Sequence, residues 1–232
     1  MEPAAIRIGD RDLAVAFRRN AKAKRLILRF DRAGAGLVAT VPKRVSRKAA
    51  LDFVERSRGW IETRLASQVA PAPLGDAALV PLRGEAYRVR ATGTARGAVA
   101  VNAEAREILL PGESGHLGRR LTDWLKAEAR RDLETATRRY CSAMGVACRR
   151  LSIRDQKSRW GSCSAGGDLS YSWRLILAPS RVLDYVAAHE VAHLKEMNHG
   201  PRFWRLVLAH CPGAASARDW LRKNGAELHR YR

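Results

Sequence analysis

The 232-residue chain contains no run of about eighteen apolar residues, so no membrane span is expected. Its first residues lack the apolar stretch of a secretory signal, which makes the reducing cytoplasm the expected compartment. Cysteine is scarce. Cys141, Cys148, Cys163 and Cys211 include no C-x-x-C pair, which excludes a zinc knuckle or a thioredoxin-like redox motif and leaves four free thiols expected. A glycine-rich phosphate loop of the Walker type is missing too, as are internal repeats and low-complexity tracts. Acidic residues are few: 23 Asp and Glu stand against 43 Lys and Arg, a formal net charge of +20 that favours anionic partners. The basic residues are dispersed and form no tail. What the chain does have is apolar content, 46% of residues, enough to exclude wholesale disorder and to build one large domain or two small ones.

Residues 1–43 read as strands. Leu26, Leu28 and Phe30 alternate with Arg25, Ile27 and Arg29, and Leu37, Ala39 and Val41 follow a Gly-Ala-Gly turn at 34–36, which predicts a hairpin ending at Pro42. Ser46 is placed to cap a helix running to about residue 68, whose outer arginines and lysines read as a solvated face. Residues 70–78 carry the Pro and Gly of a linker. The chain is therefore divided into a β-rich basic region with one helix, 1–75, and a second domain, 76–232. In the second, strands are expected near 79–92 and 97–110. A turn at Pro111-Gly112 and a cap at Ser114 then lead into a long amphipathic helix carrying Leu121, Leu125, Ala129, Leu133, Ala136 and Tyr140 on one face. Leu151 to Ile153 read as a strand. Two further strands should meet at the Gly166-Gly167 turn, the second covering Leu169 to Leu177, and Ser180 should cap the helix after Pro179.

That helix carries His189-Glu-Val-Ala-His193. Residues four apart lie one turn apart on one helical face, so His189 and His193 can offer two imidazole nitrogens to one metal ion. Glu190, on a neighbouring face, is placed as the general base for a water nucleophile. Asn198, Gly200 and Pro201 predict that the helix stops before His199, so that the chain can turn and bring His199 back as third ligand. Zinc suits three imidazoles and an open fourth position, although other divalent ions do as well.

Arg159-Trp-Gly-Ser-Cys-Ser164, Trp173-Arg-Leu-Ile-Leu-Ala-Pro179, His189 through His199 and Pro201-Arg-Phe-Trp204 together resemble the YgjP-like metallopeptidase family, which is similar to the SprT-like zinc peptidases and belongs with the small zincins. The resemblance runs from about residue 150 to about 225. It implies that His189, His193 and His199 are metal ligands and that Glu190 is the catalytic base.

Other residues near this stretch are rivals for these roles. Glu196 is an alternative third ligand, and His210 and Cys211 are weaker ones. Cys163 reads as a packed thiol. Tyr171, Arg174 and Arg159 are candidates for stabilising an oxyanion, with structural roles as the simpler reading. Trp160, Trp173, Phe203 and Trp204 read as core around the metal helix, and Asn198 or Asp184 as partners of a ligand imidazole. The reading that results is an α+β protein with a β-rich N-terminal half and a zincin-like C-terminal domain, its His-Glu-x-x-His helix beside a β-hairpin. Its expected function is zinc-dependent hydrolysis of unfolded protein or peptide, with no small-molecule cofactor and no membrane partner. Nucleic acid or a nucleotide is a further candidate partner through the basic surface, and two alternatives stand beside this reading: a metal-dependent nucleoside triphosphate pyrophosphohydrolase, motivated by the charge and by the ability of a metal-activated water to attack phosphorus, and a nucleic-acid-binding module with a structural metal.

Overall fold

A computed structural model of the chain describes residues 3–31, 36–66, 72–156 and 159–231. The architecture is α+β, in two compact units, Met1–Gln68 and Val69–Arg232.

In the first unit, strands β1 (Ala4–Ile8), β2 (Arg11–Asn20), β3 (Ile27–Phe30) and β4 (Leu37–Pro42) form one sheet in the order β1-β2-β4-β3. β3 and β4 pair antiparallel as the alternation predicts; positions 34 and 35 of the turn between them lie outside the described residues. β2 and β4 pair parallel, a crossover that local pattern does not reveal. Along β2, Leu13, Val15 and Phe17 are buried while their neighbours are exposed, the period-two signature of a sheet with one wet face. The expected single helix is two: α1 (Arg47–Arg56) and α2 (Arg58–Ala66), separated at Ser57. The Ser46 hydroxyl caps α1, accepting the Ala49 N–H at 3.1 Å. Ala50, Val54 and Ile61 from these helices close the core over the sheet.

The second unit opens with β5 (Leu79–Leu82), β6 (Glu85–Ala91), β7 (Ala100–Asn102) and β8 (Glu107–Leu110), in the order β5-β6-β8-β7. Each predicted strand region is thus divided into two strands. Of the expected linker, residues 70 and 71 lie outside the described residues. Helix α3 (Leu117–Met144) follows, entered through a 3-10 turn at Ser114–His116 rather than a serine cap. It buries the predicted face from Leu121 to Tyr140 and ends at Gly145, whose φ of 62° is the left-handed conformation that closes helices. Next come β9 (Arg150–Arg154), β10 (Gly161–Cys163) and β11 (Asp168–Ser172), with β11 between the other two, antiparallel to β10 and parallel to β9. The predicted strand to Leu177 stops at Ser172. Trp173–Leu177 is a 3-10 helix buried along its whole length. Helices α4 (Ser180–Ala192), α5 (Pro201–His210) and α6 (Ala214–Leu228) complete the unit, and α4 packs on α3, β10, α5 and α6. Pro179, not Ser180, stands at the N-cap of α4, and no side chain bonds the helix end there. No described helix is long and apolar enough to cross a membrane.

The start of α4 is fixed from the β5–β6 turn. Gly84 has φ +86°, and a Cβ there would lie 2.8 Å from the Pro179 Cα. Beside it, Arg83 donates to Asp132 and Glu128 of α3, at 2.8 Å each, and its N–H donates to the Ile176 carbonyl at 2.7 Å. Gly84→Ala is expected to destabilise this unit by about 1–3 kcal/mol, because both the dihedral and the contact oppose a methyl group. A lower denaturant midpoint at unchanged slope is the measurement that checks it.

Candidate metal centre

Two turns of α4 set the site. Val182, Val186 and Ala192 are buried, which anchors the helix, and His189 lies toward its C-terminal end with His193 as its C-cap. The chain then turns through 194–200 into α5, whose first residue is Pro201, a residue that suits the first helical position because it has no N–H to leave unpaired. This turn returns His199 to the helix. Its Nε2 lies 3.1 Å from His193 Nε2 and 3.0 Å from His189 Nε2.

Nitrogens bound to one tetrahedral zinc at 2.0–2.1 Å lie roughly 3.3 Å apart, close to these spacings. The hydrogen-bonding alternative fails on proton count. His193 Nδ1 lies 3.0 Å from the Glu196 carbonyl oxygen, so it carries the ring proton and donates it there, leaving Nε2 a lone pair. A proton on His199 or His189 could then bridge one of the two remaining gaps but not both. A cation among the three nitrogens satisfies every lone pair, and the residues present therefore fit a divalent metal ion. Burial supports this by keeping imidazoles neutral. Desolvation, followed by the charges of His193, His199 and Arg218, holds His189 down to about 4, and desolvation also lowers His193. Phe203, fully buried, is a floor for all three rings: it stacks on His193 at 4.5 Å between centroids and meets His189 and His199 edge-on at 4.8 Å. Trp204 lies beside His199, 6.0 Å away and nearly parallel.

Glu190 is 6% exposed and stands outside the imidazole cluster. Burial pushes its carboxyl up to about 7, opposed by the charge of Arg159. The backbone of β10 makes room for it. A Cβ on Gly161 would come within 2.6 Å of Glu190 Cγ and Oε1, so glycine at 161 is what lets the carboxylate lie against the strand. Gly161 was not singled out from the sequence, although a glycine opening a short strand is the signal for such a close approach. Gly161→Ala is expected to lower catalytic efficiency by about 100-fold while metal content stays at the wild-type level, since the methyl group displaces the flexible carboxylate and not the imidazoles. Steady-state kinetics beside metal analysis of the same preparation checks both halves.

The rivals fall elsewhere. Glu196 meets the centre through its backbone carbonyl. The ring nitrogens of His210 face the Leu206 and Ala143 carbonyls at 2.9 and 3.2 Å. Asp184 accepts a hydrogen bond from Tyr140 at 2.6 Å and pairs with Arg139. The Asn198 carbonyl accepts the Gly200 N–H at 2.7 Å within the turn. The Cys163 thiol is pushed up to about 11 by burial and by the charges of Glu190, Asp168 and Cys148, which removes it as a nucleophile at neutral pH. Cys211 is buried, and all four cysteines are free. Of the three oxyanion candidates, Tyr171 is buried against Thr137 at 3.2 Å, and Arg174 is buried against Asp155 and the Tyr231 carbonyl. Only Arg159 lines the cavity of about 380 Å³ that His189 and Glu190 open into. Trp173 is core, whereas half-buried Trp160 lines that cavity.

Compared with known families, the chain matches a family model described as YgjP-like, metallopeptidase domain, over residues 24–224. The match takes in β3, β4, α1 and α2 as well, a wider span than the C-terminal segments that carry the resemblance in the sequence. Neither the curated proteins nor the solved structures return a match.

Proposed function

From its place in the YgjP-like metallopeptidase family, to which the chain belongs, we propose that this protein hydrolyses peptide bonds in unfolded proteins or peptides, with zinc as the working ion. It is a metal-dependent hydrolase of the metallopeptidase class. The observation that carries the finer reading is the convergence of three imidazole Nε2 atoms beside a buried, separately held carboxylate. Structural zinc sites are closed by four ligands, and three leave a position open for chemistry.

In this proposal His189, His193 and His199 hold the ion, and Glu190 is the catalytic base. When bound there, an ion would supply an acidified water and polarisation of the scissile carbonyl. The Glu190 carboxylate accepts the proton of the attacking water and returns it to the leaving amine. Its buried setting suits a group that must both take and give a proton near neutral pH. The Glu196 carbonyl holds the His193 ring in its donor orientation, and Phe203 keeps bulk water from the underside of the imidazoles. The four free thiols support a reducing cytoplasmic setting.

A substrate panel tests the proposal. Zinc-loaded protein is offered an unfolded protein, with and without single-stranded DNA, and a set of nucleoside triphosphates. Cleavage of the protein is the expected result. Release of pyrophosphate or phosphate without proteolysis would overturn it in favour of a phosphohydrolase, a reading motivated by the +20 charge and by the ability of a metal-activated water to attack phosphorus as well as carbon. Tight DNA binding with neither reaction would favour a binding module.

A further inference from the structure

The cavity beside His189 and Glu190 is rimmed by three guanidinium groups, Arg159, Arg218 and Arg222. Arg159 precedes β10; Arg218 and Arg222 lie one turn apart on α6, on one face of that helix. All three are exposed at the rim. Glu190 is the one carboxylate among the residues lining the cavity. Neither Arg159 nor Arg218 forms an ion pair with a carboxylate among the described residues, although the charge of Arg159 acts on Glu190 within the cavity. Arg218 lies over the Trp204 ring, 5.1 Å from its centroid, a contact that holds the guanidinium beside the cavity. Arg222 does pair with Asp219 at 2.6 Å, but Lys223 holds the other oxygen of that carboxylate at 2.8 Å, so Asp219 keeps a cation when Arg222 turns away. The floor is apolar: Trp160, Val186 and Leu221, with Tyr185 at the edge of His189.

We propose that this cavity is a substrate subsite for a carboxylate, carried by an acidic side chain or by the end of the peptide chain next to the bond that is cut. The proposal rests on the peptidase reading above. Guanidinium forks match a carboxylate bidentately, and the apolar floor accommodates the carbons that carry it. A polyphosphate fits the same charges less well. Guanidinium groups pair with phosphate as well as with carboxylate, but a polyphosphate gains further from backbone N–H groups at helix N-termini, and here α6 meets the cavity at mid-helix and α4 meets it toward its C-terminal, electronegative end. Glu190 also opposes a multiply charged anion more than a single carboxylate.

Binding decides this apart from catalysis. Full-length, zinc-loaded Glu190→Gln protein is titrated by calorimetry with two sets of short peptides. One set is amidated and differs only by Glu or Gln at a single position. The other has neutral side chains and differs only in a free or amidated C-terminus. We expect about tenfold tighter binding of the acidic member in at least one set, the size of a charge-assisted hydrogen-bonded pair. Which set responds identifies the source of the carboxylate. Adding Arg222→Gln, an exposed change that leaves the Asp219–Lys223 pair in place, should reduce the ratio to below about threefold, as should raised salt. Equal affinities within both sets would overturn the proposal, as would displacement of a bound peptide by tripolyphosphate but not by acidic peptides. Wild-type cleavage of the same peptides is scored separately. Cleavage without acidic preference removes the subsite and keeps the peptidase; preference in binding without any cleavage removes the peptidase and keeps the subsite.

Discussion

Glu190→Gln protein is expected to fold, to keep its metal and to lose hydrolysis by about three orders of magnitude. Positioned proton transfer contributes on the order of 10²–10⁴ in rate, and this one change removes it. The amide has the size of the carboxylate, so it occupies the space that Gly161 leaves against β10 without displacing the strand. The buried setting that costs a carboxylate desolvation costs an amide less, so stability should be equal or slightly higher. Glu190 lies outside the three-nitrogen cluster, and metal content should not change. The expected kinetic pattern is a fall in kcat with little change in KM, because the base acts in the transition state and not in binding. Metal analysis, a melting curve and kcat on one preparation separate the outcomes. A variant that loses its metal would show that Glu190 is a ligand, and one that keeps most of its activity would show that another group takes the proton.

The convergence of the three imidazoles was legible in the sequence because its parts are local. His189 and His193 are fixed by helical period, and His199 by the helix-stopping residues on both sides of it. The buried face of α3 and the β3–β4 pairing were legible for the same reason, since 3.6 and 2 are periods that a window of ten residues resolves. What could not be read is set by partners distant in sequence. Trp173–Leu177 is apolar but for Arg174 and reads as strand, yet it is buried along its whole length as a 3-10 helix, with Ser172 at its N-cap accepting the Arg174 N–H at 3.4 Å. A short apolar run has no period to distinguish those outcomes. The parallel pairs β2–β4, β6–β8 and β9–β11 each join strands that are not consecutive, and the alternation of each strand is the same whichever neighbour it finds. For Arg174 the structural role was the simpler reading, and it holds, but its partners could not be named: it is 4% exposed, its charge met by Asp155 and the Tyr231 carbonyl. Gly161 carried no chemistry of its own to notice, and its role exists only because Glu190 arrives from another element.

Removing His199 is expected to strip the metal, with apparent affinity falling by on the order of 100-fold or more, whereas Glu196→Ala leaves it nearly intact. His199 Nε2 stands between the other two nitrogens, 3.0 Å from that of His189 and 3.1 Å from that of His193, so its loss would leave two candidate ligands where zinc needs at least three from the protein. Glu196 engages the centre through its backbone, which alanine retains, and His193 keeps its Nδ1–H donor bond. His199 is exposed on a turn, so alanine there removes no core packing, and the apo fold should survive. The metal itself should stabilise the unit Val69–Arg232, because the three imidazoles converge only in the folded state. With free ion at 100 times its dissociation constant the gain is about 2.7 kcal/mol. At about 2–4 °C per kcal/mol for a unit of this size, a chelator should lower its melting temperature by roughly 5–11 °C. His199→Ala protein should melt at the chelated temperature with or without added zinc, and Glu196→Ala should follow wild type. If Glu196→Ala loses the metal and His199→Ala keeps it, the third ligand is the carboxylate, and the turn through 194–200 must close differently around the ion.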